Sequence, residues 1–404
     1  MLLRKTSLVS GTAKLLPASK SIANRALVIR ALAGGSGVLE NLSDANDTQL
    51  MLKRIGSEDF TIDVEDAGTT MRFLTAYFAA TGKHKILTGT ARMKERPIGI
   101  LVDALIALGA SVRYLEKNGY PPIETTGFAG QKTNYLTVRG DISSQYISAL
   151  MMIAPLLPEG LEIKLEGKVG SKPYIVMTAE IMKHYGVTCD FAGDKIRIPS
   201  SNYAAKDFLV ESDWSAASYW YAFTALADQA DIRLPKLFEV SLQGDSVIRT
   251  IMNDLGVTTT VTDGIFHLSK SPAKSELSYD FTDCPDLAQT IAVVCAAKGI
   301  KGHFTGLESL RIKETDRIAA LQNELRKIGA DLIEDDPAHW RLIPSDTLPE
   351  KASFETYKDH RMAMAFAPLC TKMDVTIEKP EVVRKSYPNF WNDLRNCGVS
   401  TEDW

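Results

Sequence analysis

Apolar runs with helical spacing recur along this chain, and each follows a short head of polar residues or glycine. The six runs are SKSIANRALVIRALA from Ser19, GTTMRFLTAYFAA from Gly68, SSQYISALMMIA from Ser143, DWSAASYWYAFTALA from Asp213, PDLAQTIAVVCAA from Pro285 and DHRMAMAFAPL from Asp359. Markers at these heads are spaced by 48, 74, 72, 71 and 73 residues, and they are Ser21, Thr69, Ser143, Ser215, Asp286 and Asp359. The pattern predicts a repeat of about seventy residues with a helix near its start.

A second helix, amphipathic and followed by glycine, is predicted in each repeat, as in ILVDALIALG and VIRTIMNDLG. The glycines are separated by 53, 77, 70, 73 and 69 residues, and they are Gly56, Gly109, Gly186, Gly256, Gly329 and Gly398. Glycine just past a helix is the usual left-handed C-cap, so each position predicts a helix end. Two independent sets of markers therefore indicate the same period.

Stretches rich in Val, Ile, Tyr and Thr lie between the helices and predict strands, as in NYLTVRG, LEIKLEG, KIRIPS and GIFHLSK. The unit is thus β-α-β-α-β-β. Only about a dozen residues separate Gly56 from the next helix head, so a strand pair is expected to be missing from the first unit. Six units predict an α/β (α+β) protein with two bodies of three units each. The alternative is an α/β protein in which this spacing arises by chance.

Composition limits the class of protein. The 404 residues are 45% hydrophobic and 24% charged, with a net charge of −4, which is typical of a globular protein without a bulk attraction to nucleic acid or anionic membrane. The five cysteines form no CxxC pair, so neither a disulfide framework nor a cysteine zinc site is indicated. The first residues contain no apolar core of a signal peptide. We therefore expect a soluble, cytoplasmic protein whose anion sites are local.

Common catalytic motifs are absent. The sequence contains no GxGxxG, GxxxxGK[ST], HExxH or GxSxG, and its six histidines do not have the spacing of metal ligands. Nucleotide binding and zinc-dependent hydrolysis therefore lose their main sequence support, and no metal site is expected.

Cations are concentrated at the heads of the predicted helices. They are Lys20 and Arg25, Arg72, and His360 with Arg361, and Ser143, Ser144 and Gln145 occupy another head. Helix N-termini present free N–H groups and a positive dipole end, so a lysine or arginine there adds to an anion site. The alternative is that some heads are simple N-caps, which we favour for Asp213 and Ser215.

Three further basic segments are present. RMKERP ends at Pro97, the expected first residue of a helix, and VRKSYP contains Arg384 and Lys385. RIKETDR places Lys313 and Arg317 four residues apart, which predicts one face of the next helix. Each segment alone is typical of a solvated surface, but their recurrence at equivalent places in the repeat favours a shared anion site.

The chain closely resembles the 5-enolpyruvylshikimate-3-phosphate synthase family over nearly its whole length. The segments that carry the resemblance, in order, are LPASKSIANRAL, DAGTTMRF, LTGTARMKERPIG, SSQYISAL, SKPYIVMT, DCPDLAQT, LRIKETDR, KDHRMAM and KSYPNF. The resemblance implies two globular domains, each of three β-α-β-α-β-β units, with the active site in the interdomain cleft. We expect one domain at 18–212 and the other at 1–17 with 213–404.

The resemblance also implies the reaction. The enolpyruvyl group of phosphoenolpyruvate is transferred to the 5-hydroxyl of shikimate 3-phosphate, with release of phosphate through a tetrahedral intermediate. No cofactor is needed, the partners are these two small molecules, and a monomer is expected. Inhibition by glyphosate, competitive with phosphoenolpyruvate, is implied as well, because Gly68 carries no side chain.

Site residues follow from the same resemblance. Those that resemble phosphoenolpyruvate ligands are Lys20, Gly68, Arg72, Arg96, Gln145, Arg317, Arg361 and Lys385. Those that resemble shikimate 3-phosphate ligands are Lys20, Ser21, Arg25, Ser143, Ser144, Gln145, Ser171, Tyr174, Asp286 and Lys313. Those that resemble catalytic residues are Asp286, Glu314, Lys20, Lys385 and His360, with Asp286 and Glu314 as the acid/base pair.

Three features depart from the family pattern. Asp66 and Ser309 stand where the family usually has asparagine, and the shortened first unit affects the region of Asp47. A carboxylate at Asp66 disfavours a bound anion unless it is paired or turned away.

Two rival functions remain at this stage. The related enolpyruvyl transferase that acts on UDP-N-acetylglucosamine normally has a reactive cysteine in an arginine-containing loop, and no cysteine here has that setting. A non-catalytic polyanion-binding repeat protein would need the cations but neither Asp286 nor Glu314.

Overall fold

The structure is a computed structural model that describes residues 1–140, 143–167 and 169–402. Contacts within the chain divide it into two compact units. The terminal unit consists of Met1–Ala18 with Glu211–Trp404, and the central unit is Ser19–Val210. The chain thus leaves the terminal unit after Ala18 and returns to it at Glu211.

The α-helices of the described residues follow the predicted positions. They are α1 (Lys20–Leu32), α2 (Asn46–Ile55), α3 (Gly68–Ala80), α4 (Ala91–Lys94), α5 (Gly99–Leu108), α6 (Ser144–Ile153), α7 (Lys172–His184), α8 (Trp214–Leu226), α9 (Ile248–Asp254), α10 (Ala288–Lys298), α11 (Arg317–Arg326), α12 (His360–Phe366) and α13 (Phe390–Asn396). All six predicted heads begin a helix, and at Pro285 one 3₁₀ turn precedes α10.

The strands between the helices are short. They are β1 (Leu2–Leu3), β2 (Leu8–Thr12), β3 (Leu39–Glu40), β4 (Thr61–Asp63), β5 (Lys85–Thr88), β6 (Ala110–Tyr114), β7 (Ile123–Phe128), β8 (Tyr135–Arg139), β9 (Leu161–Glu166), β10 (Asp190–Ala192), β11 (Lys195–Ile198), β12 (Phe208–Leu209), β13 (Gln229–Leu234), β14 (Val257–Thr262), β15 (Ile265–Lys270), β16 (Glu276–Asp280), β17 (Lys301–Thr305), β18 (Asp331–Asp336), β19 (His339–Ile343), β20 (Lys351–Phe354), β21 (Asp374–Ile377) and β22 (Thr401–Glu402).

One strand order recurs in five four-stranded sheets of the described residues. In β4-β5-β7-β6 the pair β4 and β5 is parallel, and the hairpin of β6 and β7 joins it antiparallel. The other sheets are β10-β11-β9-β8 in the central unit and β14-β15-β13-β2, β16-β17-β19-β18 and β20-β21-β1-β22 in the terminal unit. The predicted α/β fold class, built from β-α-β-α-β-β units, is confirmed.

The first unit differs from the others. Its sheet contains only β12 and β3, which pair in parallel, and α2 leads directly to β4 of the next unit. The strand β12 comes from the end of the central unit, so its pairing with β3 joins that end to the first repeat of the unit.

The predicted glycine caps are confirmed at five of six positions. Gly109, for example, has a φ of +113°, which is in the left-handed region. The prediction is wrong for Gly56, whose φ is −100°. There the helix ends in a turn closed by the Ser57 N–H on the Arg54 carbonyl, so no left-handed residue is required.

Two further local predictions are wrong. Lys313 and Arg317 do not share a helix, because a 3₁₀ helix (Glu308–Ile312) ends at Lys313 and α11 begins at Arg317. The Asp316 carboxylate caps α11 by accepting from the Ala319 N–H at 3.1 Å, which fixes the later start. Pro97 lies two residues before α5, which begins at Gly99.

The helices that begin at the six heads form the interior of each unit. In the terminal unit α8, α10 and α12 are buried almost throughout, and hydroxyls of Ser218 and Thr290 meet between α8 and α10 at 3.4 Å. In the central unit α3 and α6 meet where Arg72 donates to Gln145 at 3.1 Å. Because the helices pack together, their N-termini assemble the polar heads into one cluster per unit.

Candidate active site

The central cluster begins at the N-terminus of α1. Lys20 is the first residue of that helix, and its Nζ lies 3.0 Å from Oδ2 of Asp47 at the start of α2. The Thr70 hydroxyl donates to the Asp47 carbonyl at 3.3 Å, which ties α2 to α3. Asp47, whose part in ligand binding the sequence left open, therefore pairs with Lys20, one of the predicted substrate-binding residues.

Arg25 is fully buried one turn further along α1. Its guanidinium donates to the Ser21 carbonyl at 2.9 Å, to the Ser148 hydroxyl at 3.0 Å and to the Thr178 hydroxyl at 2.7 Å. The Tyr174 ring lies 5.6 Å from it. Burial lowers the pKa of Arg25 to about 10, so the charge is costly and is held by neutral acceptors. A bound anion would complete this environment.

Two arginines approach the backbone at Gly68, the first residue of α3. Arg72 donates to the Gly68 carbonyl at 3.0 Å, and Arg96 donates to the Asp66 carbonyl at 3.4 Å. A Cβ on Gly68 would lie 2.7 Å from Nη1 of Arg72 and 2.8 Å from both terminal nitrogens of Arg96. Glycine is therefore what allows both guanidiniums to lie against the start of the helix.

Serines and an amide complete this cluster. The Ser143 hydroxyl accepts from the Gln145 N–H at 3.3 Å and caps α6, and Ser144 is buried as its first residue. The Gln145 side chain donates to the Thr69 hydroxyl at 3.1 Å. Ser171 precedes α7 with a φ of +55°, a left-handed conformation that is strained for serine.

Asp66 and Ser309, which stand where the family usually has asparagine, have different environments. The Thr90 hydroxyl donates to the Asp66 carboxylate, so this acid is paired beside the Arg96 backbone contact. Ser309 is exposed on the 3₁₀ helix before Lys313.

Arg317 organises the cluster of the terminal unit. It is 2% exposed, and its nitrogens lie 2.9 Å from Asp286, 2.9 Å from Glu314 and 2.7 Å from Asp359. One planar guanidinium therefore holds three carboxylates at fixed directions. The Asp286 and Glu314 side chains are each 17% exposed, whereas that of Asp359 is fully buried.

Arg361 and His360 begin α12. The Asp359 carboxylate caps this helix by accepting from the Arg361 N–H at 2.8 Å. The Arg361 guanidinium lies 2.8 Å from Oδ2 of Asp286 and donates to the Tyr219 hydroxyl at 3.4 Å. His360 is 2% exposed, with Nδ1 3.6 Å from Asp359 Oδ1.

Lysines border the same carboxylates. Lys385, the last residue of a 3₁₀ helix (Pro380–Lys385), lies 3.2 Å from Oε1 of Glu314. Burial lowers the pKa of Lys313, and the charge of Asp286 opposes this effect in part.

The pKa values of Asp286 and Arg317 in this cluster are strongly shifted. Burial alone would raise the pKa of Asp286, but Arg361, Lys313 and Arg317 outweigh it, so this pKa lies well below its usual range. Burial would lower the pKa of Arg317, but its carboxylates, Asp359 first, raise it further above its normal value. Asp286 is therefore an ionised partner of these cations, and Glu314 lies beside it on the same arginine.

One predicted N-cap is confirmed and the other is wrong. Asp213 Oδ1 accepts from the Ala216 N–H at 2.7 Å and caps α8. The Ser215 hydroxyl instead donates to Asp245, because Ser215 lies two residues past the cap position and faces the short helix that carries this acid. Sequence reasoning missed Asp245, Asp359 as an arginine partner and Tyr219. The signal was weak, since Asp245 lies in LQGD and Asp359 looked like a simple helix head.

Neither cluster resembles a metal centre or a membrane segment. Within the described residues, no group of three or more His, Cys, Asp or Glu side chains is arranged to hold a metal ion. Nor does any helix of residues 1–140, 143–167 or 169–402 have the length and apolarity needed to cross a membrane.

The clusters combine cations at helix N-termini with carboxylates held on arginine. Such features are typical of enzymes that bind anionic small molecules.

Comparisons with known proteins specify this class. A family model described as EPSP synthase (3-phosphoshikimate 1-carboxyvinyltransferase) matches residues 53–394. The chain belongs to the EPSP synthase family.

Individual relatives agree. The chain is 47% identical over 392 residues to the 3-phosphoshikimate 1-carboxyvinyltransferase of Bacteroides fragilis, covering 95% of this chain and 94% of that protein. It is 35% identical over 420 residues to the enzyme of the same name from Shewanella pealeana, covering 96% and 97%. The EPSP synthase structure from Acinetobacter baumannii has a TM-score of 0.79 at 20% identity, over 99% of each chain, which supports the fold.

Proposed function

We propose that this chain transfers the enolpyruvyl group of phosphoenolpyruvate to the 5-hydroxyl of shikimate 3-phosphate and releases phosphate. This reaction belongs to the shikimate pathway of aromatic amino-acid biosynthesis. The observation that carries the proposal is the Arg317 fork, which holds Asp286 and Glu314 on its two terminal nitrogens at 2.9 Å each. A protein that only bound anions would not need two carboxylates there.

We assign shikimate 3-phosphate chiefly to the central cluster. The proposed contacts there are Lys20, Ser21, Arg25, Ser143, Ser144, Gln145, Ser171 and Tyr174, and the terminal unit adds Lys313 and Asp286. Support comes from Arg25, whose buried guanidinium donates to one backbone carbonyl and two hydroxyls, all of them neutral acceptors. A phosphate near its helix would lower the cost of burying that charge.

We assign phosphoenolpyruvate, with its phosphate and carboxylate, to arginines and lysines of both clusters. The proposed contacts are Lys20, Gly68, Arg72, Arg96, Gln145, Arg317, Arg361 and Lys385. The two guanidiniums beside Gly68 are suited to one oxyanion group, because arginine pairs with such groups through two parallel N–H donors.

Two proton transfers are needed. The 5-hydroxyl adds to C2 of phosphoenolpyruvate and loses its proton, while C3 gains a proton. Loss of phosphate from the intermediate is then accompanied by loss of a methyl proton. Asp286 takes the hydroxyl proton, a task that Lys20 or Lys385 could share, and Glu314 gives and later removes the proton at C3. His360 is retained as a catalytic candidate beside Asp359.

Substrate binding is expected to activate Asp286. Its pKa lies well below the usual range because Arg361, Lys313 and Arg317 surround it, and such a carboxylate is a weak base. Substrate anions that pair with Arg361 and Arg317 weaken this pull. The pKa of Asp286 then rises towards the value that a general base requires.

The rival enzyme that acts on UDP-N-acetylglucosamine is disfavoured by the thiols. Burial raises the pKa of Cys189 to about 12, and burial also raises the pKa of Cys284, Cys295, Cys370 and Cys397. Reactive cysteines need a lowered pKa. Phosphate release from phosphoenolpyruvate should therefore require shikimate 3-phosphate. Release with UDP-N-acetylglucosamine instead would overturn the proposed function.

We also propose that the chain acts as a monomer in the cytoplasm, without a cofactor. The balanced charge of −4 and the five widely spaced cysteines are consistent with this setting.

Substituting Gly68 with alanine should weaken inhibition by glyphosate more than it weakens activity. The new Cβ would lie 2.7–2.8 Å from the nitrogens of Arg72 and Arg96, so both guanidiniums must shift. Phosphoenolpyruvate can adjust to the shifted guanidiniums more easily than glyphosate, which fills the same space. Inhibition constants and kinetic constants for phosphoenolpyruvate measure the two effects.

Gly56→Ala is the matched control, since a Cβ there meets no atom within 4 Å. It should change neither constant. Equal losses of activity and inhibition in Gly68→Ala would mean that Gly68 does not border the inhibitor.

A further inference from the structure

Asp245 is a buried acid that no step above has used. It lies on a short 3₁₀ helix (Gly244–Val247) of the terminal unit and is 4% exposed. The Ser215 hydroxyl donates to its Oδ2. Burial, and next the charge of Asp286, raises the pKa of Asp245 to about 7. A carboxyl in this position exchanges its proton near neutral pH.

Ser215 joins this acid to the phosphoenolpyruvate cluster. Nη2 of Arg361 donates to the Ser215 hydroxyl oxygen at 3.4 Å, and the same nitrogen lies 2.8 Å from Oδ2 of Asp286. A single hydroxyl therefore connects Asp245 to a guanidinium that we assign to substrate. Because arginine keeps its protons, the chain is not a proton relay, and its effect is on position and charge.

The charged and titratable groups that face Asp245 come from several elements. They are Asp213 before α8, Cys284 and Asp286 around the turn before α10, and Arg361 on α12. Cys284 is neutral because burial raises the pKa of its thiol. Arg361 is thus the cation that balances Asp245, and it already pairs with Asp286.

The charge count of the cluster depends on Asp245. Four cations, Arg317, Arg361, Lys313 and Lys385, face three carboxylates, Asp286, Glu314 and Asp359. Protonation of Asp245 makes the surroundings of Arg361 one unit more positive, which favours binding of a substrate anion. Ionisation of Asp245 removes that unit of charge.

We propose that Asp245 is a positioning residue for Arg361, acting through Ser215, and that it takes up a proton when a substrate anion binds that arginine. This inference rests on the proposed function. By linkage, an anion that favours protonated Asp245 must bind less tightly once Asp245 has ionised. Affinity for phosphoenolpyruvate should therefore fall as pH rises through about 7.

The test compares wild type with Asp245→Asn, which keeps a hydrogen-bonding side chain but cannot ionise. The measured quantity is the ratio of the two KM values for phosphoenolpyruvate between pH 6 and 8.5. The titration of the substrate itself cancels in this ratio. One pKa unit of coupling corresponds to tenfold in affinity, so the wild-type KM should rise about 3- to 10-fold relative to Asp245→Asn.

At pH 6 the two enzymes should have similar KM values, and KM for shikimate 3-phosphate should be similar throughout. A merely structural role would change both KM values and would not depend on pH. Asp346→Asn, which alters an exposed acid of the same unit, is the control and should follow wild type. A flat ratio across the pH range would overturn the inference.

Ser215→Ala provides a second test if Asp245→Asn does not fold. It removes the hydroxyl between Asp245 and Arg361 and should raise KM for phosphoenolpyruvate at least about threefold, with the turnover number less affected. An unchanged KM would contradict the inference. Turnover of the wild-type protein distinguishes a failure of this inference from a failure of the proposed function. If the wild type is inactive, the proposed function itself is overturned.

Discussion

Glu314→Gln and Asp286→Asn should each lower the turnover number by ~10²-fold or more while leaving binding of shikimate 3-phosphate largely intact. Both changes keep the shape of the side chain and the place of its contact with Arg317, but they remove the basic carboxylate. The measurements are steady-state phosphate release and calorimetric titration with shikimate 3-phosphate.

Glu308→Gln is the matched control, since Glu308 is an exposed acid in the same loop. It should retain wild-type turnover. Near wild-type turnover in Glu314→Gln or Asp286→Asn would remove that residue from the mechanism. A loss of binding as large as the loss of turnover would instead limit the residue to substrate binding.

Arg317→Met should lower the free energy of unfolding of the terminal unit by about 3–5 kcal/mol at pH 7. The change leaves Asp286, Glu314 and Asp359 without their shared cation, and breaking one side of a buried ion cluster carries a cost of this order. All five tryptophans belong to the terminal unit, so tryptophan fluorescence during urea unfolding measures its stability.

The loss of stability caused by Arg317→Met should become smaller at low pH. The pKa of Asp286 is lowered in the folded protein, so the stability that this pairing gives is present above the ordinary pKa of an aspartate and is lost as pH falls below it. The difference between wild type and Arg317→Met should therefore begin to shrink below about pH 4 and continue to shrink as pH falls through the lowered pKa of the folded protein. Arg326→Met, at an exposed ion pair with Asp331, should cost at most about 1 kcal/mol. A loss as small as that in Arg317→Met would contradict the role given to Arg317.

The fold was largely predictable because its signals are local and repeated. Polar heads, apolar helical runs and terminal glycines recur with one period, and each signal is contained within a few residues. The predictions for Gly56 and for the segment from Lys313 to Arg317 were wrong because neighbouring residues set a different local structure. At Gly56 a tight turn replaced the left-handed cap, and at Asp316 a cap delayed the helix.

The cations of the site were predictable, whereas most of their partners were not. A lysine or arginine at a helix head indicates an anion site by position alone. The carboxylates that neutralise Arg317 lie 31 and 42 residues away in two cases, so only the packing of α10, α11 and α12 brings them together. Asp245 reaches Ser215 across 30 residues in the same way. Such pairings depend on tertiary packing, which local patterns do not contain.

The most direct test of the account is turnover in D₂O with mass spectrometry of the product. Addition of a proton at C3 makes a methyl group in the intermediate, and elimination then removes one of its hydrogens. Deuterium should therefore appear in the vinyl methylene of the product, and Glu314→Gln should slow its incorporation together with phosphate release. Product formed without any deuterium in that methylene would contradict addition and elimination with Glu314 as the acid and base.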